Sequence, residues 1–148
     1  MIGHDDIAAR IPHQGDMCLL QQVIEWDAET IVCQADSHRR GDNPLMADGR
    51  IGIANVIEYA AQAMAMHGAL RAGTDAPPKA GFLASVRDVR WYRPRLDDIG
   101  ETLIIRATRL SGNGVTVLYQ FDIHAGAPLA SGRISAVLDA DALAGPTS

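Results

Sequence analysis

The chain has 148 residues, 47% hydrophobic and 21% charged, with 13 Lys and Arg against 18 Asp and Glu for a net charge of −5. That length suits one domain, residues 1–148, with a sizeable buried core, and the composition excludes a disordered or fibrous chain. The acidic balance excludes a protein that grips nucleic acid through a basic stripe.

The opening, MIGHDDIAARIPHQGD, has acidic residues where an export signal needs a basic start and an apolar core, so it is not read as one. Residues 5–11 (DDIAARI) predict a short helix that Pro12 ends, because proline disfavours helical geometry in the residue before it. The runs 18–26 (CLLQQVIEW) and 30–38 (TIVCQADSH) are apolar and β-branched, and they flank the turn signal Asp27-Ala28-Glu29, which predicts a β-hairpin. Cys18 and Cys33 fall in these runs without metal-ligand spacing, so no disulfide framework and no metal site are expected and a reducing, cytoplasmic setting fits. Residues 39–50 (RRGDNPLMADGR) are dense in turn formers and predict a loop.

From Ile51 the apolar residues Ile53, Val56, Ile57, Ala60, Ala61 and Met64 recur at intervals of three and four, which predicts a helix of about five turns. Asn55, Glu58, Gln62 and His67 are costly inside a bilayer, so this is expected to be a buried helix and not a membrane span. Residues 72–78 break the pattern with Gly73 and two prolines. Four strand-like runs follow, at 81–93, 101–110, 115–124 and 130–140, separated by turn residues. Two strands, a long helix and four strands in a meander, with no βαβ alternation, predict the α+β hot-dog arrangement, an antiparallel sheet of about six strands around one central helix. A helix this apolar needs cover on most sides, and one sheet supplies only one, which predicts a dimer.

The segments ARIPHQGDM (9–17) and ANVIEYAAQAMAM (54–66) resemble the β-hydroxyacyl-(acyl carrier protein) dehydratases of fatty acid synthesis. A closer resemblance is to the short 3-hydroxyacyl-(acyl carrier protein) dehydratases of aryl polyene-type pathways, in the pieces Ile11–Met17, Ile57–Met64 and Gly81–Arg87. The resemblance spans residues 8–139. It implies an enzyme acting on acyl thioesters in fatty acid or polyketide synthesis. The implied partners are an acyl carrier protein or CoA thioester and a second hot-dog subunit, identical or not. The sequence itself has no P-loop and no Gly-x-Gly-x-x-Gly before a helix, so no cofactor is expected, and charge and helix composition argue for no nucleic acid and no membrane.

The resemblance also places Glu58 where such dehydratases carry the acid that protonates the departing 3-hydroxyl. Glu58 is the only charged residue between Arg50 and Arg71, and desolvation on an apolar helix would raise its pKa toward what a general acid needs. The alternative is an ion pair with an arginine across a subunit interface. Asn55 and Gln62, three residues before and four after, share its helix face and could orient carboxylate or thioester.

The loop before the helix departs from the fatty-acid enzymes, which keep Gly-His-Phe-Pro-Gly there with the His as base. Here Gly49-Arg50 stands in place of Gly-His, and Arg stays protonated at neutral pH. His13 is a replacement candidate, its tautomer set by Asp16, although a structural role is the other reading. His38 is a second candidate, kept neutral by Arg39 and Arg40, or else a surface residue. Gly49 and Gly52 at the helix start either offer backbone N–H groups to a thioester oxyanion or only form a tight turn. Arg39, Arg40, Arg87, Arg90, Arg93 and Arg95 either hold a phosphate or an acidic carrier, or are solvated surface charge. Three functions follow: a dehydratase, a non-catalytic hot-dog subunit that binds a carrier protein or an active partner, and a thioesterase.

Overall fold

The computed structural model of the chain describes residues 2–13, 15–73, 81–113 and 115–138. The connection expected at 72–78 lies outside them from Thr74 onward, as do Gln14, Gly114 and the end of the last strand run.

The chain runs β1 (Ile2–Gly3), α1 (His4–Ala8), β2 (Gln22–Trp26), β3 (Thr30–Ala35), α2 (Val56–Ala72), β4 (Gly81–Trp91), β5 (Leu103–Gly112), β6 (Thr116–Ala125) and β7 (Ala127–Leu138). The strands form one seven-stranded sheet in the order β1-β2-β3-β5-β6-β7-β4, with every pairing antiparallel. Alternation of apolar and polar residues sets its inner face. Cys33, Ile105, Ile123 and Ala130 are successive cross-strand partners, all almost fully buried. The helix α2 packs on this face against β3, β5 and β6. Burial of each large apolar side chain is worth about 1.5–3 kcal/mol, so such rows fix the helix to the sheet.

The four final strands do not form a simple meander, contrary to expectation. The meander holds for β5, β6 and β7, but β4 pairs with β7 at the far edge while β5 enters beside β3. β5 has the clean inward series Leu103, Ile105 and Ala107 that a central position needs. β4 carries register shifts between Leu83 and Ser85 and between Arg87 and Arg90, and the charges Arg87, Asp88 and Arg90. Such features suit a sheet edge, where bulges and charge discourage uncontrolled pairing.

The first hairpin starts later than its apolar run because residues 18–20 dock on α2 instead of joining the sheet. The amide of Leu19 donates to Gln62 Oε1 at 2.8 Å, and Leu19 and Leu20 are buried. The helix also starts later than expected, with residues Ile53–Asn55 forming a 3₁₀ turn before Val56. Gly73 ends it in the left-handed conformation, φ 68°. No helix among the described residues is long and apolar enough to cross a membrane.

Candidate active site

The helix α2 is apolar on all sides, and the sheet covers one of them. The 17–20 segment and the loop after β3 close others, because Gln62 and Tyr59 on the helix bond to them. The stripe left half-open contains Ile57, Glu58, Ala61 and Ala65, with Ala54 and Gly68 exposed at its ends. Glu58 therefore sits on a helix face that the described residues leave half-open, and 41% of its side chain is exposed. The deep burial expected from an apolar helix is not reached.

His13 comes to this face from the opening segment, its Nε2 lying 4.0 Å from Glu58 Oε2. That separation exceeds hydrogen-bond range, so the two groups do not bond to each other and both face the same open side of the helix. Burial lowers the His13 pKa below the ordinary histidine value, with the Glu58 carboxylate opposing. The lowering favours the neutral ring that a base needs. Asp16 does not set the tautomer as expected. It pairs with Arg40 at 3.1 Å, and His13 Nδ1 is buried with no hydrogen-bond partner among the described residues.

Behind Glu58, Gln62 is fully buried, and both ends of its amide are engaged. Oε1 accepts from Leu19 N, and Nε2 donates to Met17 O at 2.7 Å. Asn55 turns back to its own lead-in, donating to Gly52 O at 3.0 Å. Gly49 lies in a two-residue turn with Asp48, φ 73° and 52°, closed by reciprocal bonds between Ala47 and Arg50. Positive φ at both central positions is why Asp-Gly suits this turn. Arg50 follows it with an exposed side chain.

Gly52 bridges Arg95, and the bonds of that bridge run from Ile53 N to Pro94 O and from Leu96 N to Ile51 O. Gly52 therefore turns its own N–H away from the 94–96 segment. Asp97 secures the same junction, accepting from Ile51 N at 2.8 Å while its bond to Arg95 holds the carboxyl well below the usual carboxylate range.

His38 is neither on the surface nor beside Glu58. It is fully buried, and its Nε2 donates to Ile99 O at 3.0 Å. Arg39, Arg40, Arg93 and Arg95 are each paired with aspartates of this chain, whereas Arg87 and Arg90 stand exposed on β4. Among the described residues no group of three His, Cys, Asp or Glu is placed to hold a metal ion.

Two polar clusters had no signal in the linear pattern. Ser37 Oγ donates to Leu19 O at 2.9 Å and pairs with Tyr59 OH at 2.8 Å, while Asn43 Nδ2 donates to Ser37 O at 2.7 Å. Tyr59 adjoins Glu58 in the same motif, and a buried phenol on an apolar helix demands such a partner. At the other end of α2, buried His67 donates from Nε2 to Asp27 O at 2.8 Å and accepts at Nδ1 from Tyr119, whose pKa burial pushes up to about 12.

Desolvation lowers the pKa of His13, His38 and His67 alike. The unfolded chain, with imidazoles near the ordinary value of about 6.5, then binds more protons than the folded one as the pH drops through that value. Stability falls with falling pH in this window. The urea midpoint is expected to be lower at pH 5.5 than at pH 7.5, and equal midpoints would contradict this.

Compared with known proteins, residues 5–144 match the model of the ApeP-like family, described as ApeP dehydratase. The chain belongs to the ApeP-like dehydratase family. No curated protein matches significantly. Solved structures share the fold. One is a chain of the dehydratase heterocomplex ApeI:P from Xenorhabdus doucetiae, 24% identical, covering 95% of this chain and 97% of that one at TM-score 0.79. Another is the E. coli PaaI protein from the phenylacetic acid degradation operon, 16% identical over 78% of this chain and 81% of that one at TM-score 0.58. A third is a hypothetical thioesterase with coenzyme A from Streptococcus pneumoniae, 12% identical over 79% and 84% of the two chains at TM-score 0.56.

Proposed function

We propose that this family member dehydrates a 3-hydroxyacyl thioester, carried by acyl carrier protein or CoA, to the trans-2-enoyl thioester. The observation that carries the reading is the placement of His13 Nε2 4.0 Å from Glu58 Oε2 on the open face of α2. His13 Nε2 takes the α-proton as the α–β double bond forms. Glu58 gives its proton to the departing hydroxyl, which leaves as water. Transfer of the Nε2 proton to the Glu58 carboxylate restores the starting state. The Gly52 N–H stabilises the enolate oxygen of the thioester, with the Gly49 turn and Asn55 shaping its approach and Gln62 held behind. Arg50 serves the phosphate of the arm.

The partner in this reading is a second hot-dog subunit. The open stripe of α2 and the long edge strand β4, with Leu83 and Trp91 exposed, are surfaces that a neighbour would cover. The heterocomplex named for the X. doucetiae chain favours an unlike partner, in an aryl polyene-type pathway, and leaves room for an accessory role for this chain. A cytoplasmic setting agrees with two buried free cysteines, the Cys33 thiol being pushed up to about 12 by burial.

Mass spectrometry of a 3-hydroxyacyl-(acyl carrier protein) incubated with the chain tests this. Loss of water that vanishes with His13→Ala is the expected result. Unchanged mass with the carrier still bound would favour the accessory role, and release of free thiol a thioesterase.

A further inference from the structure

His13 and Glu58 belong to different parts of the chain, 45 residues apart in sequence, so some contact must hold their separation. Met17 and Leu19, a few residues after His13, are tied to α2 by side-chain amide and hydroxyl groups. Gln62, one helical turn past Glu58, bonds through both ends of its amide to the backbone of Met17 and Leu19. The remaining polar group of Leu19, its carbonyl, accepts from Ser37, which is itself bonded to Tyr59 on the helix. Both backbone groups of Leu19 are thus held by α2, directly or through one hydroxyl. Gln62 is fully buried and Ser37 nearly so, and bonds closed off from water are stiffer and costlier to break than exposed ones.

We propose that Gln62 is a positioning residue that, with Ser37 and Tyr59, sets the separation of His13 from Glu58. This rests on the dehydratase reading of the pair. An amide suits the task because one group must both accept from an N–H and donate to a carbonyl, which neither a carboxylate nor an ammonium can do. Met at this position has similar length but neither bond. Displacing a reacting group by an ångström can cost on the order of a hundredfold in rate even when binding persists.

The test uses the full chain and two readouts. In steady-state kinetics with a 3-hydroxyacyl thioester, Gln62→Met is expected to lower kcat by roughly tenfold or more while KM changes little. The second readout is the imidazole resonances of His13, identified by their loss in His13→Ala and titrated with and without Glu58→Gln. The displacement of the His13 midpoint caused by Glu58→Gln measures how closely the two groups are held, and Gln62→Met is expected to reduce it by at least half. Ser37→Ala, which releases Leu19 from the other side, should act in the same direction and serves if Gln62→Met does not fold.

An undiminished displacement in the folded variant overturns the proposal, even if kcat falls. If the wild-type chain turns over no thioester, the titration alone decides, because it needs no activity. A wild-type His13 midpoint that Glu58→Gln leaves unmoved would remove the pair itself, and with it both readings.

Discussion

Replacement of Glu58 by Gln is expected to slow water loss from a 3-hydroxyacyl thioester by about 10²–10⁴-fold, the range that a positioned proton donor supplies. The fold should survive, because the side chain is 41% exposed and only His13 is within ion-pair range among the described residues. His13→Ala should cost a comparable factor. The double variant should be far less than the product of the two, since one half of an acid–base pair does little alone. The His13 titration gives a second handle. Burial lowers the His13 pKa and the Glu58 carboxylate raises it, so the His13 midpoint should fall in Glu58→Gln. A midpoint that stays in place, or wild-type rates in Glu58→Gln, would show that the carboxylate does not act with His13.

The largest effect on stability is expected at Tyr59, the bulkiest fully buried side chain among the described residues. Tyr59→Ala removes an aromatic ring from between the helix and the loop after β3, which costs about 3–5 kcal/mol through lost burial and the cavity left behind. It also deprives Ser37 of its hydroxyl partner and Asn43 of a long contact at 3.4 Å. Tyr59→Phe keeps the ring and loses only the hydroxyl, so its cost should be about 1–2 kcal/mol. Urea denaturation of the two variants separates packing from hydrogen bonding. Equal losses in both would assign the stabilisation to the polar cluster and contradict the packing account. Because Ser37 also holds Leu19 O, Tyr59→Phe should weaken the anchoring of the segment after His13 while leaving Gln62 in place.

Periodicity and turn chemistry were enough to read most of the elements. The three- and four-residue recurrence from Ile53 to Met64 implies a helix wherever it lies, and alternating apolar residues in 103–107 and 117–123 imply half-buried strands. Both are local properties, carried by residues within a few positions of one another. The motif around Glu58 was legible for the same reason, since a lone carboxylate in an apolar helix stands out in a linear string. The absence of the usual base at Gly49-Arg50 was equally plain, because it is a matter of residue identity.

What depends on distant segments was not legible. That β4 goes to the far edge beside β7, while β5 inserts next to β3, follows from competition among strands for central places, and each strand's own pattern is compatible with several orders. That Asp16 turns to Arg40 instead of His13, and that His38 is buried against Ile99 O, depends on which loops meet. Gln62 shows the division most clearly. Its position on the helix face of Glu58 is set by 3.6-residue periodicity, but the groups that claim its amide lie 43 and 45 residues away. The sequence by itself determined a helix with a carboxylate and an amide on one face, within an antiparallel α+β fold. Only the tertiary structure decided that the carboxylate meets His13 and the amide meets Met17 and Leu19, because a buried polar group is satisfied by whichever backbone the packed core brings within about 3 Å.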